Sequence, residues 1–110
     1  MIKDVLITQL DVVDTPAGKV MHGMKETSIG YSGFGEAYFS EVEPGRVKAW
    51  KRHTKMTLNL VVPIGVIKFV LFDDHMDDNE TQFQEMVLSR DNYLRLTVPP
   101  MIWVGFQGMS

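Results

Sequence analysis

Cysteine is absent from all 110 residues. That excludes a disulfide framework, a thiolate metal site and a thiol nucleophile. Histidine occurs only as His22, His53 and His75, in unrelated segments, so three ligands at usable metal-binding spacing are not visible. No metal and no other cofactor is expected. Positive charge is also scarce: 11 Lys and Arg stand against 14 Asp and Glu, for a net charge of −3. This balance argues against binding dominated by phosphate neutralisation, and nucleic acid is not an expected partner. No apolar run approaches the ~20 residues of a membrane-spanning helix. The start, Met1-Ile2-Lys3-Asp4-Val5, lacks the apolar core of a signal peptide, so a cytoplasmic protein without membrane association is expected. Helical periodicity is missing too: no window of a dozen residues keeps apolar side chains at the 3, 4, 7 spacing with caps at both ends.

What is present is ordinary for one globular domain. Apolar residues make up 45% and charged residues 23%, enough for a single core over residues 1–110. The eight methionines read as adaptable fillers of that core. Short strand signals recur along the chain. Residues 5–10 open it, and Asp14-Thr15-Pro16-Ala17-Gly18 is a turn cluster that stops the first strand. A second strand is expected at 19–24, and residues 36–42 alternate well enough for a half-buried one. Strands at 47–53, 56–62 and 66–72 follow in quick succession, the last rich in β-branched and aromatic side chains. After the acidic connection 73–80, read as a solvated hairpin loop, come strands at 83–88, 93–98 and 102–106. Eight or nine short strands between Gly, Pro, Asn and Asp turns indicate an all-β sandwich or double-sheet jelly roll.

The chemistry concentrates in residues 46–60, where Arg46, Lys48, Lys51, Arg52 and Lys55 surround Trp50 and His53. Strand alternation lets about half of these cations face inward. An inward cation must be paired or meet an anionic ligand, since an isolated buried charge is costly. The bland alternative is a solvated edge strand whose lysines block aggregation. Trp50, Tyr38, Phe39 and Trp103 could stack on a nucleobase or sugar ring, or they could simply fill a core.

Gly35-Glu36-Ala37-Tyr38-Phe39-Ser40-Glu41, Val47-Lys48-Ala49-Trp50-Lys51-Arg52-His53 and Val98-Pro99-Pro100-Met101-Ile102-Trp103-Val104-Gly105-Phe106 occur in an order that resembles the dTDP-4-dehydrorhamnose 3,5-epimerase family of cupins. The resemblance covers roughly residues 34 to 108. It implies a cupin-type double-stranded β-helix or jelly roll, a homodimer, no metal, and 4-keto-6-deoxy sugar nucleotides as small-molecule ligands. It also implies epimerisation by proton removal and return alpha to a ketone. His53 is then the catalytic base and Lys55 the cation on the enolate oxygen. Glu36, Tyr38, Trp50, Lys51, Arg52, Asn59 and Trp103 become the expected substrate-binding residues. The chain departs from the family pattern where the late motif's histidine falls at Val104 and its glycine at Met101, and the usual arginine is replaced by Trp50 or shifted to Arg52. The family's proton-donating tyrosine and supporting aspartate lie beyond the Pro-Pro motif, and here the sequence stops at Ser110. The resemblance therefore implies a short member whose activity is impaired or lost, or whose site a partner completes. The alternative is a binding module that kept the pocket without the chemistry, and a purely structural dimer is a third reading.

Overall fold

The computed structural model describes residues 2–74 and 82–110. Nine strands are found among them: β1 (Leu6–Gln9), β2 (Val12–Thr15), β3 (Gly18–Met21), β4 (Val47–Arg52), β5 (Leu58–Leu60), β6 (Val66–Asp73), β7 (Gln82–Ser89), β8 (Leu94–Val98) and β9 (Trp103–Gly108). No helix long and apolar enough to cross a membrane occurs among the described residues.

The strands form a four-stranded sheet in the order β4-β9-β6-β7, a three-stranded sheet in the order β1-β8-β5, and the hairpin β2-β3. All their pairings are antiparallel. Residues directly opposite across such a ladder share a face, so the registers reveal which side chains point inward. Phe69 lies opposite Met86 and Phe106, and Leu71 opposite Gln84 and Val104. Phe69, Leu71 and Val104 are buried, which makes this the core face of the larger sheet. From the smaller sheet, Leu96 and Val98 face them, opposite Leu60 and Leu58. Ile2, Val5, Val62, Leu88 and Ile102 complete the core. Each fully buried Leu or Val here stabilises the fold by roughly 1.5–3 kcal/mol.

Alternation in β8 turns Arg95 and Thr97 to the opposite face, yet both are buried as well. They are covered by the strap 22–30. Arg95 donates from Nη1 to the carbonyl of Gly23 and from Nη2 to that of Ile29, each at 2.8 Å. Asn59 donates to the Gly30 carbonyl at 3.1 Å and accepts from the Thr97 hydroxyl at 2.6 Å. A glycine is required at position 30. Its φ is +89°, and a Cβ there would lie 2.7 Å from Thr97 Oγ1.

Three sequence expectations are corrected. Residues 36–42 form no strand: they run exposed and irregular, with Phe39 98% accessible. Alternation makes a segment able to be a strand, but an unpaired strand has no ladder to hold it. The cluster at 14–18 does not merely end a strand. It is the tip of the hairpin β2-β3, in which Val12 and Val13 are exposed. β4 is not a plain alternating strand either. Lys48 pairs with Phe106 and Lys51 with Val104, so an extra residue bulges out between them. An unbroken strand would put Lys48, Trp50 and Arg52 on one face, and the bulge breaks that alternation. Lys48 and Lys51 share the Phe106/Val104 side, while Val47 and Arg52 lie with Gln107 and Trp103 on the other. Of the acidic connection 73–80, only Asp73 and Asp74 belong to the described residues.

Candidate active site at the end of β4

β4 is an edge strand, which gives its charged side chains access to solvent. Its bulge faces Gly105: a Cβ on that glycine would lie 3.0 Å from the Ala49 Cβ and 3.4 Å from the Trp50 ring. The indole of Trp50, about half exposed, approaches Phe72 with ring centroids 6.5 Å apart. Phe72 in turn stacks on Phe83 at 4.6 Å, in keeping with their direct pairing across β6 and β7. One residue beyond Lys51, Arg52 places its guanidinium 4.7 Å from the ring centre of its partner across the ladder, Trp103. Asp74 closes the group. Its Oδ2 accepts from Trp103 Nε1 at 3.1 Å and lies 3.7 Å from Arg52 Nη1. Arg52 and Asp74 are both partly exposed, so this pair is worth at most about 1 kcal/mol. Its consequence is geometric: Arg52 and Trp103 are fixed as a plane of π surface and N–H donors.

His53 follows directly, and alternation at the end of the strand carries it to the face opposite Arg52. It is half-buried. Its carbonyl accepts from the Met101 amide at 2.7 Å, which pins the end of β4 to the turn that follows Pro99 and Pro100. Met101 enters that turn at a φ of 75°. The two segments richest in recognisable residues, 47–53 and 98–106, thus meet at the histidine.

The remaining expected residues are dispersed. Lys55 is exposed in the bend between β4 and β5, and Lys51 is exposed within β4. Glu36 and Tyr38 are exposed on the irregular segment 31–43. Asn59 is held between Thr97 and Gly30 on the outer face of the smaller sheet, where it fastens the strap. Arg52 and Trp103 are the two that meet directly, while Trp50 approaches Phe72, the residue paired with Trp103 across the ladder. Asp74, which organises Arg52 and Trp103, was hidden in sequence by the acidic run that follows it. Clefts of about 680 and 270 Å³ open along β1 and β8, and neither is lined by His53.

Two antiparallel sheets closing over one core, with a histidine at the end of the edge strand, define an all-β jelly roll of the cupin type. No family model matches the chain. It is similar to the dTDP sugar isomerase of Desulfovibrio desulfuricans G20, with 40% identity and a TM-score of 0.90 over 96% of this chain and 69% of that one. The dTDP-4-dehydrorhamnose 3,5-epimerase of Elizabethkingia anophelis NUHP1 shares the fold at 22% identity and a TM-score of 0.77, over 98% of this chain and 64% of that one. A probable low-salt glycan biosynthesis epimerase of Haloferax volcanii is 29% identical over 76 residues, which are 67% of this chain and 49% of that protein. The chain belongs to the dTDP-4-dehydrorhamnose 3,5-epimerase-like family of cupins. It spans about half the length of the curated relative it matches.

Proposed function

We propose that this chain provides the histidine-bearing part of a sugar-nucleotide epimerase or isomerase acting on a 4-keto-6-deoxyhexose joined to a nucleoside diphosphate. The likeness to a dTDP sugar isomerase at 40% identity over 96% of the chain carries this reading. The bond between Met101 and His53 supports the location, because it joins the segments in which the likeness to the family was first legible.

In this reading a neutral His53 imidazole takes the proton from the carbon beside the ketone. The C–H electron pair moves into the new C–C double bond, and the ketone oxygen becomes the enolate. An ammonium beside that oxygen stabilises the developing charge, and Lys55, two residues beyond His53, is the group proposed for it. A proton delivered by a water molecule to the other face re-forms the ketone with the carbon inverted, and the proton held on His53 passes back to solvent.

Solvent deuterium exchange at the carbons flanking the ketone of a dTDP-linked 4-keto-6-deoxyhexose is the direct test. His53→Ala should lower the exchange rate by roughly 10²- to 10⁴-fold, the usual worth of a general base. An unchanged rate in that variant would remove His53 from the chemistry. Saturable binding of the nucleotide sugar with no exchange in either protein would point instead to a binding module without turnover.

A further inference from the structure

Arg95 is the unusual residue of the smaller sheet. It is only 3% exposed, yet it forms no ion pair with any described residue. Its two bonds go to neutral backbone carbonyls, and its Nε is shut away from solvent without an acceptor. A buried guanidinium without a counter-charge is costly, and a bare N–H on it adds to that cost. An anion held beside the guanidinium would supply the missing counter-charge.

A cleft of about 270 Å³ lies beside this group, between β1, β8 and the strap 22–30. Besides Arg95, its lining includes Lys25, His22 and the hydroxyl residues Thr8, Thr27 and Ser28, with Asp11 as its one acid. The strap is fixed before any ligand arrives. The amide of His22 donates to the Asp11 carbonyl at 3.0 Å, and the Tyr93 hydroxyl donates to the His22 carbonyl at 2.8 Å. Burial raises the Tyr93 phenol above its ordinary 10.0, so it holds that proton at neutral pH. The Lys25 amide donates to Ser28 Oγ and the Ser28 amide returns a bond to the Lys25 carbonyl, both at 2.9 Å. The donors are therefore preorganised rather than gathered by the ligand.

We propose that this cleft binds a small oxyanion, a phosphate or a carboxylate group, against the guanidinium of Arg95, with Lys25 at its rim. A planar guanidinium suits both anions, because each offers two oxygens to a fork of N–H donors. The site lies on the face of β8 turned away from the Leu96 and Val98 core, and it does not depend on the reaction proposed for His53.

The ¹⁵N-labelled chain gives a direct reading through the Arg95 Nε–H resonance. Titration with millimolar inorganic phosphate and, separately, with acetate should shift that resonance saturably, and chloride at the same ionic strength should not. A response to phosphate alone identifies a phosphoryl ligand, and a response to acetate alone a carboxylate. Arg95→Gln also breaks the bonds that hold the strap, so Lys25→Gln is the informative variant. It should weaken the responding anion by roughly threefold, as expected for one exposed charge. His53→Ala should titrate like the parent chain, which keeps this test separate from that of the epimerase reading. Silence with both anions, an equal shift with chloride, or an unchanged midpoint in Lys25→Gln would overturn the proposal.

Discussion

At the scale of the residue, single side chains and single missing side chains decide where the strap lies. Gly30 is the sharpest case, because two constraints coincide there: a left-handed backbone and a close approach to Thr97. Gly33 has a similar φ of +86°, but its Cβ would meet open space. Alanine at either position carries the left-handed penalty of roughly 1 kcal/mol. Only Gly30→Ala should add the clash with Thr97, for a total loss of about 2–3 kcal/mol. Urea unfolding of the two variants checks this, and equal midpoints would show that the strap moves freely off Thr97. Neither the φ nor the contact is written in the sequence, where Gly30 is one of nine glycines. His53 was legible by contrast, because a histidine among cations at the end of a strand stands out by composition alone. Arg95 was not: it reads as an ordinary surface charge in an alternating strand until the strap covers it.

At the scale of the element, alternation predicts most of the structure and fails in two informative places. β6 behaves as its pattern requires, with Leu71 fully buried against Val104 and Gln84. Leu71→Ala should cost about 2–5 kcal/mol through lost burial and the cavity left behind. Phe83, on the outward face of β7 and 64% exposed, should cost less than about 1 kcal/mol when cut to alanine, despite its larger side chain. Thermal or denaturant unfolding of both variants reads the difference, and a reversed order would mean that the faces of the larger sheet are misassigned. β4 breaks the pattern because its bulge opposite Gly105 reverses the faces partway along the strand. That reversal brings Arg52, rather than a lysine, to Trp103. Residues 36–42 break it differently: they alternate, but no strand among the described residues pairs with them.

At the scale of the whole molecule, the segment 31–43 presents Phe34, Tyr38 and Phe39 to solvent, with accessibilities of 79, 64 and 98%. Apolar exposure so concentrated is characteristic of a surface that another segment or chain covers, and a second copy of this chain, as the family resemblance implied, is the expected cover. Light scattering after size exclusion should give twice the 12.5 kDa chain mass, and Phe39→Asp should shift the population toward monomer. A monomer at high micromolar concentration in the parent chain would contradict this. The β architecture, the approximate place of most strands, and the importance of residues 47–53 and 98–106 follow from the sequence alone, because apolar alternation and turn residues act over a few positions. The bulge in β4, the alliance of Arg52, Trp103 and Asp74, and the burial of Arg95 were decided only by the tertiary structure. Each depends on what lies across a ladder or over a sheet face, and such neighbours come from distant parts of the chain. Residue 52 meets residue 103, and residue 95 meets residues 23 and 29.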